Sequence, residues 1–338
     1  MDTVDVVAVV GACCPERARH ARHLAAATRR ALLAAADIAD REDIASAVAK
    51  VRWHRHVAGT VVELPVDVDV IELIGAAASA HADTALIGIV CIVDAAHLLD
   101  DLDRDDYVSA FGAHAHEMTA AALLIARQIE YASAVVIINW TTLPTDRLST
   151  LMALVSHLAP AAQLTLRGAG LVPAPFESAL AEEQDRPGWV RIINGEFDPG
   201  MTDARIGTLY YEHLRPLHPA RTERLLNTIE SGRFGKVVRS AGFCRLATRS
   251  HTVAQWDHVG HMMALTPLAV DGHIGEDEEM LSFGQELAFI GLDLDVDGLR
   301  AELDDAALTD AEFAAGPYTW ARFADPFPPW PVASEHAD

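Results

Sequence analysis

The feature that most limits what this chain can fold into is the alternation, through its first half, of short apolar runs with helical stretches. Val4 to Val10 reads as a strand ending at Gly11, and Pro15 then opens an Ala-rich helical segment. Proline suits a first helical turn because its missing N–H would be unpaired there anyway. Thr60 to Leu64 is a second strand with Val70 to Ala80 as its helix. Leu86 to Val93 is a third strand, His116 to Ile129 a helix, and Val135 to Asn139 a fourth strand. Arg147 to His157 and Gln163 to Leu166 complete the series. Such alternation predicts a parallel sheet with helices packed on it.

Beyond residue 167 the pattern changes. Residues 168–204 hold Pro173, Pro175, Pro187, Pro199 and five glycines, which reads as a linker or excursion. Strands then follow at Ile206 to Glu212, Val237 to Phe243 and Phe283 to Gly291, with helices at Pro219 to Ile229 and Val296 to Asp304. The expectation is an α/β, P-loop-NTPase-like parallel sheet domain over 1–167, a connecting segment over 168–204, and a smaller α+β domain over 205–338. Asp325 to Pro331 contains four prolines and is expected to lie extended over a surface.

A chain of 338 residues that is 51% hydrophobic can bury two cores. No apolar run reaches the roughly 20 residues of a membrane span, and no basic segment follows Met1 as in a signal peptide, so a cytoplasmic protein with no membrane partner is expected. Four cysteines, two of them the adjacent Cys13 and Cys14, argue against a disulfide framework in a chain this long. The net charge of −23 disfavours general polyanion binding, and no direct DNA binding is expected. The charge is unevenly spread: residues 1–55 hold nine basic and seven acidic side chains. Arg17, Arg19, Arg22, Arg29 and Arg30 crowd one segment, read first as a solvated helix face and alternatively as a contact for RNA or phosphate. Lys50 and Lys236 are the only lysines.

A strand, a glycine and a helix are where a phosphate-binding loop belongs. A working loop needs glycines for close backbone approach, a lysine for charge and a Ser or Thr for magnesium. Of that set, the segment Gly11-Ala12-Cys13-Cys14-Pro15-Glu16-Arg17-Ala18 keeps Gly11 alone. Glu16 adds negative charge, Pro15 removes a donor, and Ala18 has no hydroxyl. Lys50 follows an Ala-rich run, and Lys236 sits in Gly232-Arg233-Phe234-Gly235-Lys236-Val237 with the wrong spacing. The further glycines of a dinucleotide fingerprint are also missing after Gly11.

Several stretches in order resemble the CobW-type metallochaperone GTPases. They are Val90 to Ala96 with Leu98 to Leu102, Arg127 to Ala132 running into Val135 to Asn139, and Arg215-Pro216-Leu217-His218-Pro219. Gly242 to Arg249, Gln285 to Gly291, Leu308-Thr309-Asp310 and Asp325-Pro326-Phe327 follow. The resemblance implies a nucleotide site, yet the family's loop glycines, lysine and threonine fall on Cys14, Glu16, Arg17 and Ala18. Its metal-binding cysteines would stand at Ala35 to Ile38, just before Asp40-Arg41-Glu42-Asp43-Ile44. Its γ-phosphate-sensing glycine is lost from Glu63-Leu64-Pro65-Val66. Its guanine-reading segment is Asn139-Trp140-Thr141-Thr142, without the final carboxylate.

What the resemblance then implies is a CobW-like pseudo-GTPase, similar to a degenerate actinobacterial branch of the family. Such a protein would be a binding or adaptor protein rather than an enzyme, working in a zinc-starvation response. Its implied partners are the ribosome and a hibernation factor. GTP and magnesium are not expected as cofactors, and zinc stays open. The alternative is a zinc metallochaperone GTPase with a divergent nucleotide site. As metal candidates, Cys13, Cys14, His20 and His23 could converge as two thiols and two imidazoles. His114 and His116 with Glu117 form a second candidate set, and His258 and His261 would share one face if helical. His218 is expected to fix a helix N-terminus, and Gly275 to Glu279 to be a solvated acidic loop.

Overall fold

The computed structural model describes residues 4–38, 59–78, 84–109, 118–168, 186–270 and 284–330. They divide into two compact units, the first built mainly from residues up to Ala204 and the second mainly from Arg205 onward. No helix among the described residues is long and apolar enough to cross a membrane.

The first unit is built on a parallel sheet. Its strands are β1 (Val4–Val10), β2 (Ala31–Leu33), β3 (Thr60–Glu63), β4 (Thr84–Asp94), β7 (Ala134–Ile138) and β8 (Gln163–Leu166), in spatial order β2-β3-β1-β4-β7-β8. Val6 to Val10 of β1 are buried, as a central parallel strand covered on both faces must be. Helix α1 (Cys14–Thr28) has Pro15 in its first turn and buries Arg17, His20, Ala21, Leu24 and Ala25, a stripe at helical spacing. Arg29 closes α1 with φ 55°, and a 3-10 turn at Ala35–Asp37 follows β2. The other helices are α2 (Val70–Ala78), α3 (Leu98–Leu102), α4 (Ala121–Glu130), α5 (Thr145–Leu158) and α6 (Gly188–Ile193).

One expectation needs correcting. The helix expected from His116 begins instead at Ala121, because Met118–Ala120 form strand β6, antiparallel to β5 (Tyr107–Ser109). The Ala121 amide donates to the Asp106 carbonyl rather than back into a preceding helical turn. Within the expected excursion, residues 186–192 are largely buried, while about half of residues 193–204 are exposed. Trp189 and Ile192 of α6 are buried, Ser156 accepts from the Met201 amide (3.0 Å), and Gly188 lies so close to the His157 carbonyl that a Cβ would sit 1.8 Å from it.

The second unit is an antiparallel sheet of β9 (Ile206–His213), β10 (Lys236–Cys244), β11 (Thr252–Val259), β12 (Met262–Val270) and β13 (Gln285–Leu292), ordered β12-β11-β10-β13-β9. Helices α7 (Pro219–Glu230) and α8 (Val296–Ala306) contribute Leu225, Ile229, Leu299 and Leu303 to a core with Leu209, Tyr211, Trp256 and Phe289. Short helices α9 (Asp310–Ala315) and α10 (Pro317–Trp320) follow, α9 opened by a capping box between Thr309 and Glu312. The strands β11 and β12 are absent from the sequence-based expectation. His258 lies near the end of β11 and His261 in the turn after it, so the two do not share a helix face.

The proline-rich stretch after Asp325 is irregular through Trp330 and is held by Arg249. That guanidinium donates to Asp325 Oδ2 (3.0 Å) and to the carbonyls of Phe327 (2.9 Å) and Pro328 (2.8 Å), and it lies 4.5 Å above the Trp330 ring. Asp40 to Ile44, Lys50, His114, His116, Glu117, Gly275 to Glu279 and Pro331 lie outside the described residues.

Candidate functional site

In an open parallel sheet, ligands bind beyond the carboxyl ends of the strands, where the strand order reverses around β1. Four residues of interest stand there: Gly11 after β1, Glu63 ending β3, Asp94 ending β4 and Asn139 after β7. The fold therefore brings the loop after β1 and the segment after β7 to one edge. What matters is whether their polar groups are available.

At the loop, they are engaged by neighbours. Gly11 has φ 132°, and a Cβ there would lie 2.2 Å from the Ile92 carbonyl oxygen, so only glycine fits. Its amide donates to Gln128 Oε1 at 3.0 Å. The same Gln128 side chain, fully buried on α4, donates to the carbonyls of Val66 (3.0 Å) and Val68 (3.2 Å). It thus ties the loop after β1 to the loop after β3. Arg17 makes a second tie. Buried at 3% exposure, it donates from Nη1 to the Gly11 carbonyl (2.7 Å) and from Nε to Glu63 Oε1 (3.3 Å). Glu63 Oε2 also accepts from the Ala35 amide at 3.4 Å, which joins the 3-10 turn to the same network.

The start of α1 is occupied by its own acid. Glu16 stands in the first turn, where a carboxylate complements the helix dipole, and its Oε2 accepts from the Cys13 thiol at 2.7 Å. Burial, and then Glu16, pushes the Cys13 thiol up to about 12, so it stays protonated at neutral pH. Ala18 is half-buried and contributes no polar side-chain atom.

The segment after β7 is similarly engaged. Asn139, in the left-handed region at φ 55°, donates from Nδ2 to Asp94 Oδ2 (2.9 Å). Asp94 also accepts from the Ala96 amide (2.9 Å) and approaches His97 Nδ1 at 3.1 Å. Burial alone would raise the Asp94 carboxyl; the hydrogen bonds from Asn139, Ala96 and His97 outweigh it and hold it below its ordinary value. His97 is raised in turn, chiefly by its bond to Asp94. Thr142 is exposed, and its hydroxyl donates to the Asn139 carbonyl (3.3 Å).

The four metal candidates do not converge. Cys13 is spent on Glu16, Cys14 and His23 are exposed, and His20 is buried. Burial, and then Arg167 and His23, lowers His20 to about 4. Among the described residues, no group of three His, Cys, Asp or Glu side chains gathers to hold a metal ion. Gln128 is the member of this edge that the sequence-based expectations did not single out as a site residue. The available signal was a glutamine on a largely apolar helix, Ala-Ala-Leu-Leu-Ile-Ala-Arg-Gln-Ile-Glu.

In the second unit the motif residues serve the backbone. Gln285 is fully buried, accepts from the Arg245 amide (2.9 Å) and donates to the Arg215 carbonyl (3.0 Å), so it clamps two of the matched stretches together. Leu217 completes the clamp, its amide donating to the Arg245 carbonyl and its carbonyl accepting from Ala247, both at 2.8 Å. His218 starts α7 through its carbonyl, which accepts from the Arg221 and Thr222 amides. Its ring makes no capping bond and instead stacks on Phe323 at 4.5 Å.

Residues 206–307 match the cobalamin synthesis protein cobW C-terminal domain. Over 72% of its length the chain is 26% identical to zinc-regulated GTPase metalloprotein activator 1 of Dictyostelium discoideum, and it spans 56% of that protein. Among solved structures, Zn(II)-bound YjiA GTPase from E. coli is similar over 91% of this chain and 100% of its own, at a TM-score of 0.40 and 12% identity. A Zn(II)-bound triple mutant of the same GTPase gives the same values. The chain thus carries a domain that matches the cobW C-terminal model over 206–307, behind an α/β first unit built on a parallel sheet.

Proposed function

We propose that this protein is a CobW-type pseudo-GTPase, a binding or adaptor protein whose nucleotide edge is held shut by its own side chains. One observation carries the proposal: Arg17 spans the Gly11 carbonyl and Glu63 while Gln128 takes the Gly11 amide. A triphosphate with magnesium needs that amide, a cation aimed at phosphate and a carboxylate or hydroxyl for the metal. Here the amide is bonded, the cation and the carboxylate neutralise each other, and Glu16 opposes a further anion at the helix start. The residues do not fit the group, and no hydrolytic step is assigned to them.

The adaptor role, with the ribosome and a hibernation factor as partners in zinc starvation and the cytoplasm as its place, follows from the likeness to the degenerate branch of the family. Its test is co-sedimentation with ribosomes from zinc-starved cells, with no nucleotide, GDP or GTP added. The protein is expected in the ribosome pellet to the same extent in all three. A pellet that requires GTP, or none at all, contradicts the adaptor role.

A second reading, a zinc metallochaperone GTPase with a divergent nucleotide site, is favoured by the likeness to the zinc-regulated activator of Dictyostelium. Zinc content of the reduced, full-length protein separates the two. About one tightly held zinc per chain favours the chaperone; a value near zero favours the adaptor.

A further inference from the structure

The arginines of α1 fall into two groups. Arg17 faces inward and is used. Arg19 and Arg22 are exposed on the opposite face beside His23, and the exposed Arg29 follows at the end of the helix. Among the described residues, none of these three arginine side chains forms an ion pair or hydrogen bond. The exposed Arg147, Arg224 and Arg322 are also without such a partner among the described residues, but they stand singly, whereas α1 and its end gather three. Elsewhere, Arg104 pairs with Asp106, Arg221 with Glu312 and Arg249 with Asp325. The one acid of α1, Glu16, lies at its far end and is bonded to Cys13. Arg167, close enough to lower the His20 imidazole, adds a further cation near the helix.

We propose that the exposed face of α1, through Arg19, Arg22 and Arg29, binds the phosphate backbone of RNA. From Arg19 to Arg29 the helix rises about 15 Å, enough to follow a run of phosphates. Guanidinium forks suit phosphate oxygens better than the point charge of lysine does, and this stripe holds no lysine. A membrane surface is the weaker occupant. An interfacial helix needs large apolar residues beside its cations, whereas the other exposed residues of α1 are Cys14, Pro15, His23, Ala26 and Ala27. The net charge of −23 makes such binding local and strongly dependent on salt. The inference is independent of the pseudo-GTPase proposal, since no residue of the nucleotide edge takes part.

The test is fluorescence anisotropy of a labelled hairpin RNA with the full chain and its triple variant R19E/R22E/R29E. Three phosphate contacts predict that affinity falls roughly thirtyfold as salt rises from about 50 to about 200 mM. The triple reversal should abolish binding, and R19K/R22K/R29K should retain most of it. A neutral R19Q/R22Q/R29Q variant, checked by thermal melting, excludes misfolding as the cause of any loss. No binding by the natural chain at low salt, or binding unchanged by reversal, overturns the proposal. Binding to anionic phosphatidylglycerol vesicles with none to RNA also overturns it and makes the face a lipid contact.

Discussion

At the carboxyl edge of the parallel sheet, where open α/β sheets bind ligands, side chains hold each other. In the antiparallel sheet, the residues that match the family hold main chain. Arg17, Glu63 and Gln128 close a space between loops, whereas Gln285 and Leu217 fasten strand ends and Gly242 lets two strands approach. The difference shows that the likeness to the cobW C-terminal domain is carried by residues whose work is folding. The second unit keeps its motifs because its backbone needs them, whatever the first unit binds. Likeness in the second unit is therefore poor evidence about chemistry in the first.

The largest effect should come from the second unit. Gly242 has φ 146°, and a Cβ there would lie 2.0 Å from the Glu286 carbonyl oxygen on the paired strand β13. Gly242→Val is expected to cost more than about 4 kcal/mol, because two strands must separate to admit it. Urea denaturation reads this directly. A cost below about 1 kcal/mol would mean that the motif glycine is not there for packing, and the comparison would fail on that side.

In the first unit, Arg17→Met leaves Glu63 buried without its cation and should cost about 3–4 kcal/mol, as breaking a buried pair does. The double variant Arg17→Met with Glu63→Gln should recover much of that loss, since no unpaired charge then remains. Strict additivity of the two single changes would show that the two side chains do not work as a pair.

Acid sensitivity gives a smaller, graded effect. His20 titrates at about 4 in the folded chain, against 6.5 ordinarily, chiefly because burial disfavours its cation. A depressed imidazole contributes stability above its unfolded value and loses it as pH falls from about 6.5 toward 4, where only the unfolded chain takes up the proton. The loss over that window is on the order of 3 kcal/mol. A His20→Gln variant should show a flatter stability profile across it. An unchanged slope would place His20 in contact with water.

Much of the first unit was legible in the sequence, because fully buried parallel strands write themselves as apolar runs; Val4 to Val10 and Val135 to Ile138 need no context to be seen. Strands β11 and β12 were not. Strand β11 carries Gln255, Asp257 and His258, and Asp257 is buried only because Arg239 of β10 pairs with it. No local pattern reports such a partner. The candidate site divides the same way. That no lysine or hydroxyl follows Gly11 at phosphate-loop spacing, and no carboxylate follows Asn139, is plain in the sequence, since each is a residue type read at a fixed spacing. How the gap is closed is not, because Gln128 meets Gly11 across 117 residues, and the inward turn of Arg17 depends on Glu63 at the end of another strand. The gathering of Cys13, Cys14, His20 and His23 failed for a similar reason. Helical spacing sets neighbours along α1, while burial sends His20 inward and leaves His23 outside.

The central claim is that a nucleotide cannot reach the groups it needs, and isothermal titration of the full chain with GTP and magnesium tests it most directly. No saturable heat is expected, with or without magnesium, while Gly11, Arg17, Glu63 and Gln128 are intact. A one-to-one, magnesium-dependent isotherm at sub-micromolar affinity would contradict it.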